Sequence, residues 1–122
     1  MNWLAVAVGG AIGSVLRYML SLLLNQPNLP YGTWMANGVG SLLIGMFFVW
    51  GKQKGIMSPV LYIFLTTGIM GGFTTFSTFS LEVVQFIQSG MWERAFVYSV
   101  LSLGVGLVGV FLGIVAGRQF FL

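Results

Sequence analysis

Cysteine and histidine are absent from this 122-residue chain, and charge is scarce, with five Lys and Arg against two Asp and Glu. Without cysteine there is no disulfide framework and no thiolate zinc site. Without histidine there is no imidazole base, nucleophile or metal ligand. The usual parts of hydrolases and metalloenzymes are missing, and the chain is not read as an enzyme. Charged residues make up 6% of the sequence and hydrophobic ones 57%, a balance that cannot cover a soluble surface at ordinary charge density. A bilayer is the fitting solvent. The basic residues are scattered and never form a run, so the net charge of +3 carries no nucleic-acid signal, and these residues read as topology markers at membrane edges.

What is present is organised in four apolar blocks, each near the ~20 residues needed to cross ~30 Å of hydrocarbon. The spans are placed at 3–24, 33–51, 59–88 and 94–118, forming one transmembrane domain over 1–122. No basic region precedes Trp3 and no A-x-A-like cleavage site follows closely, so the first block is read as a retained span and not a signal peptide. Asn25-Gln26-Pro27-Asn28-Leu29-Pro30 makes the first connection, with Thr33 expected to cap the next helix. Gly51 to Gly55 makes the second, followed by Ser58-Pro59 as a helix start. Ser89 to Glu93 makes the third. The fold class expected is an all-α membrane protein of four transmembrane helices.

The third block is too long. A straight helix of this length would rise about 45 Å, well beyond the hydrocarbon core. Residues 71–79 read GGFTTFSTF, and a break near Gly71-Gly72, close to the middle of the block, resolves the excess. Unpaired backbone at membrane depth persists only where protein, water or an ion satisfies it, so the break is a candidate ion or substrate site. Orientation markers are nearly balanced. Lys52, Lys54 and Arg118 fall on one side, Arg17 and Arg94 on the other, a weak bias under the positive-inside rule. Insertion both ways round, with head-to-tail self-pairing, is compatible with that count.

Polar side chains recur at helical spacing. Thr33, Asn37 and Ser41 lie at i, i+4 and i+8 on the second span, and Tyr98 and Ser102 repeat the pattern on the fourth, with Ser99 nearby. Interhelical hydrogen bonding would account for any one of them. Several stripes around a broken helix point to a pathway, with Asn37 the strongest single residue. Ser, Thr, Tyr and Asn can all donate, and the interior holds one carboxylate, Glu82, to which a structural hydrogen-bonding role is given. A cation pore lined by acid rings is excluded on that ground. Phe76 and Phe79 can present positive ring edges on one face, although the same spacing also serves core packing. Arg17 either attracts anions at a pore mouth or fixes the structure through carbonyl contacts. Gly9 and Gly13, and Gly109, Gly113 and Gly117, follow small-xxx-small spacing and are read as close helix packing. Four helices of this size hardly enclose a pore alone, so self-association is expected, with a two-fold dimer as the default.

GGAIGSVLRY at 9–18, PYGTWMANGVG at 30–40 and TTGIMGGFTTFSTFSLE at 66–82 together resemble the small bacterial fluoride channels of the Fluc or CrcB family, over nearly the full length. The resemblance implies an antiparallel, dual-topology homodimer in the bacterial inner membrane that exports fluoride passively and so protects against its toxicity. It implies fluoride-path roles for Phe76, Phe79 and Asn37, contributions from Ser77, Thr78, Tyr98 and Ser102, and a vestibule position for Arg17. It also implies a structural Na⁺ held by the backbone carbonyls of Gly71 and Thr74 from each subunit. Where similar proteins often continue the fourth-span polar track with hydroxyls, this chain has Gly104 and Gly106. Two other readings remain. One is a proton-coupled exporter of the small multidrug resistance type, which relies on a glutamate that this first span lacks. The other is a non-transporting membrane subunit.

Overall fold

Helix boundaries follow the turn-forming residues closely. The computed structural model describes residues 1–26 and 29–120. Helix α1 is Asn2–Leu24, a short antiparallel pair joins β1 (Asn25–Gln26) to β2 (Leu29–Pro30), and α2 runs over Tyr31–Phe48 with a π-helical continuation to Gln53. The third span consists of α3 (Pro59–Ile63), a π-helical stretch Phe64–Met70, α4 (Gly71–Phe73) and α5 (Phe76–Gln88), and α6 is Trp92–Gln119. Four stretches are therefore long and apolar enough to cross a membrane: Asn2–Leu24, Tyr31–Gln53, Pro59–Gln88 and Trp92–Gln119. Pro27 and Asn28, expected as part of the first connection, lie outside the described residues.

The caps explain the ends. Ser58 accepts a hydrogen bond from the Leu61 amide at 3.1 Å, with Pro59 in the first turn, the arrangement read from Ser58-Pro59. At the other end of that span Gly90 takes φ 78°. Its amide bonds Ile87 O, and the Met91 amide bonds Phe86 O at 2.8 Å, a Schellman closure that requires the left-handed glycine. Thr33 does not cap α2. The Asn25 side chain does so from the linker, accepting from the Gly32 amide at 2.6 Å, which leaves the Thr33 hydroxyl free for an interhelical bond. The second loop and the chain's C-terminal end meet, since Lys54 Nζ donates to Arg118 O at 3.2 Å and to Phe120 O at 2.9 Å.

Glycine brings the helices together as their spacing indicated. A Cβ at Gly9 would lie 2.6 Å from Phe64 O and 2.9 Å from Gly68 Cα, and one at Gly117 3.1 Å from Val49 Cβ. Helix α1 thus packs on the third span, and α2 packs chiefly on α6. Lipid supplies no hydrophobic drive for such contacts, so dispersion at close approach sustains them. Ala36, Met70 and Phe73 form the buried centre, flanked by Leu20, Leu43, Phe47 and Ile69.

The third span breaks near its middle, but not at the glycines. Gly71 and Gly72 remain helical, and the chain becomes extended at Thr74 (φ −99°, ψ 152°) and Thr75 (φ −152°, ψ 128°). Gly72 serves approach rather than unwinding, because a Cβ there would meet Gly10 O at 2.5 Å and Ser14 N at 3.0 Å. The break therefore falls three residues later than expected from the glycine pair, at Thr74–Thr75.

Candidate functional site

At the break the ordinary i to i−4 donors are redirected. Met70 O keeps its partner, accepting the Thr74 amide at 3.0 Å and the Thr74 hydroxyl at 2.8 Å. The Thr75 amide, which would have bonded Gly71 O, donates instead to Asn37 Oδ1 at 3.2 Å. The Thr78 amide, which would have bonded Thr74 O, goes to the Thr75 hydroxyl at 3.3 Å, capping α5. Gly72 O is taken by Arg17 Nε at 3.0 Å. The carbonyls of Gly71, Phe73 and Thr74 are thus left without their helical donors, and of these residues Gly71 and Thr74 border the same groove. Among the described residues there is no group of three or more His, Cys, Asp or Glu to hold a metal. Carbonyl oxygens are suitable ligands for a hard cation, so the residues at the break fit the one that the sequence resemblance implies.

That groove, about 720 Å³, is bounded by the second span, the break and α6. It brings together Asn37, Ser41, Phe76, Phe79, Ser99 and Ser102 among the residues singled out in the sequence, with Thr75 beside them. The Asn37 amide is oriented by chemistry, since the Thr75 N–H needs the oxygen and the NH₂ group is left to donate elsewhere. Phe76 and Phe79 are tilted at 45° with ring centroids 5.9 Å apart. Phe79 continues to Tyr98 at 5.2 Å, and Tyr98 meets Phe86 edge-on at 84°. Phe76 is 80% exposed, so the groove opens outward on that side. Ser102 Oγ is buried and makes no hydrogen bond of ordinary geometry, with the Tyr98 hydroxyl as a near polar neighbour.

Other predicted residues sit elsewhere. Tyr98 borders the groove only through Phe79, and its hydroxyl donates to Glu82 Oε1 at 2.8 Å. Thr33 donates to Glu82 Oε2 at 2.8 Å. The carboxylate is therefore held on both oxygens by hydroxyls from α2 and α6, the hydrogen-bonding role read for it from the sequence. Ser77 and Thr78 gather around the Thr75 cap, with Ser77 Oγ 3.1 Å from Thr75 Oγ1. Arg17 does not line the groove. Of its two readings, the carbonyl contact is the one observed. Of the two fourth-span glycines only Gly106 faces the groove, whereas Gly104 borders a separate apolar groove with Trp34 and Val108.

Thr75 was missed by the sequence reading. Its signal was a hydroxyl residue three positions before Thr78 at the start of an apolar-periodic run, an N-terminal capping pattern. The Thr33–Glu82–Tyr98 triad had no local signal, because its members are 49 and 16 residues apart.

The comparisons agree with one another. A protein of Flavobacterium psychrophilum named fluoride-specific ion channel FluC is 43% identical over 117 residues, covering 93% of this chain and 94% of its own. Proteins of the same name from Roseiflexus sp. and Agrobacterium fabrum are also 43% identical, covering 93% and 99% of this chain and 94% and 99% of their own. The family described as CrcB-like protein, Camphor Resistance (CrcB), matches residues 4–114. With that match and these identities over nearly its whole length, the chain belongs to the CrcB family.

Proposed function

We propose that the chain forms a fluoride-selective channel, giving passive export of F⁻ that enters an acidified bacterial cell as HF and dissociates in its cytoplasm. The observation that carries this reading is the groove at the helix break, where an amide donor of fixed orientation, two tilted phenyl rings and a buried hydroxyl without a hydrogen bond of ordinary geometry converge. Relatives that share about two fifths of the sequence and bear the name of fluoride-specific channels support the choice of ion.

Fluoride gives up water only where donors replace it. Asn37 Nδ2 is such a donor. The edges of Phe76 and Phe79 add the positive end of the aromatic quadrupole. The start of α5, a 13-residue helix, contributes the positive end of its dipole on the same side of the break. Glu82, held by Thr33 and Tyr98, stays outside the groove, which limits repulsion of the anion.

The working unit in this proposal is an antiparallel homodimer in the inner membrane. Its support is the nearly even placement of basic residues at the two ends and a largely apolar groove that stays open at Phe76, which a second copy would close. In that dimer the freed carbonyls of Gly71 and Thr74 from both copies hold Na⁺, which supplies a fixed positive charge against the unpaired carbonyl dipoles. Expression in a bacterium stripped of its own fluoride exporters tests the function. Growth at otherwise inhibitory fluoride is expected, and sensitivity equal to that of the empty vector, with the protein present in the membrane, would overturn the reading.

A further inference from the structure

Hydroxyls in membrane helices usually satisfy themselves by bonding a carbonyl one turn back. Ser21, Thr66 and Ser99 do so here, donating to Arg17 O, Tyr62 O and Ala95 O at 3.1, 2.7 and 2.8 Å. Ser102 and Ser41 do not. Ser102 Oγ is buried without a hydrogen bond of ordinary geometry, and Ser41 Oγ makes no hydrogen bond among the described residues. Both line the groove that contains Asn37 and the phenyl pair.

Their positions are related through a glycine. Tyr98, Ser102 and Gly106 follow one another at i, i+4 and i+8 on α6, one above the next on a single face. Gly106 has no side chain to offer, but a Cβ built there would lie 3.6 Å from Ser41 Oγ. The Ser41 side chain also fills the neighbouring notch at Gly109, whose added Cβ would come within 3.1 Å of Ser41 Cβ. The hydroxyl of Ser41 therefore stands beside the place that a serine at position 106 would occupy.

From this placement we infer that Ser41 is an anion ligand of the pathway, supplying from the second span the donor that α6 lacks at Gly106. Fluoride leaving the Asn37 and phenyl region meets the Ser102 hydroxyl and, one turn further along α6, that of Ser41. The inference rests on the fluoride-channel reading and extends it to a residue contributed by another helix.

The test is fluoride efflux from liposomes reconstituted with purified Ser41→Ala, Ser41→Cys and the double variant Ser41→Ala/Gly106→Ser, each first shown by size exclusion to assemble as the wild type does. Loss of one hydrogen bond to an ion is worth about 10- to 150-fold, so Ser41→Ala is expected to lose at least about tenfold in flux. Ser41→Cys fills similar volume with a weak donor and should fall with it. The double variant, which restores a hydroxyl from the facing helix, should recover most of the wild-type rate. Wild-type flux in Ser41→Cys would assign the residue to packing and overturn the inference, as would a folded double variant no faster than Ser41→Ala. Absence of fluoride flux in the wild type would instead sink the channel reading beneath it.

Discussion

In the proposed pathway Asn37 has two tasks for two different atoms, and two substitutions separate them. Its Oδ1 accepts the Thr75 amide at 3.2 Å, while its NH₂ group is left to face the anion. Asn37→Asp keeps an oxygen for Thr75 and removes both side-chain donors, adding a negative charge where the anion must pass. Asn37→Leu removes the acceptor as well, leaving a half-buried backbone N–H unpaired at the start of α5. A hydrogen bond to a charged group contributes about 1.5–3 kcal/mol, which corresponds to about 10- to 150-fold in ion occupancy. Asn37→Asp should therefore lose at least that factor of fluoride efflux, with like-charge repulsion adding to it, while thermal stability in detergent changes little. Asn37→Leu should lose flux and also about 1–3 kcal/mol of stability, the cost of an unsatisfied buried donor, read as a lower melting temperature. The assay pairs a fluoride electrode on proteoliposomes with melting of the same preparations. Wild-type efflux through Asn37→Asp would refute the donor role, and an unchanged melting temperature for Asn37→Leu would refute the capping of the break.

Phe76→Ile and Phe79→Ile keep apolar bulk but remove the ring edge, so flux should drop while assembly by size exclusion is retained; wild-type flux in both would make these rings packing residues. Arg17→Ala orphans Gly72 O beside the break, and a loss of about 1–3 kcal/mol in stability is expected, seen as a lowered melting temperature; an unchanged melt would show that the contact at Gly72 is dispensable. Exchange of Na⁺ for a larger cation should reduce fluoride flux, since backbone carbonyls cannot be removed by substitution; full activity after verified Na⁺ removal would make that ion unnecessary.

The spans were legible because length and hydropathy are local properties, and the predicted start at Pro59 and end at Gln88 are the observed ones. The break in that span was legible too, from its excess length. Its placement at Thr74–Thr75 was not, because the helical Gly72 answers to Gly10 and Ser14 of another helix, and close approach leaves no mark in a single segment. The same limit explains Thr33, whose capping role went to Asn25 while its hydroxyl reached Glu82 across 49 positions. Asn37, Phe76, Phe79 and Ser102, which line one groove, stand out in the sequence because polar and aromatic residues are conspicuous at helical spacing on apolar spans. Thr75 was hidden among neighbouring hydroxyls, and Gly104 was separated from Gly106 only by which groove each one faces.

Ion selectivity in a purified system tests the central claim most directly. Liposomes loaded with both fluoride and chloride and carrying this protein alone should release fluoride rapidly while retaining chloride. Equal release of the two ions, or none of either from protein shown to be folded and inserted, would contradict the account.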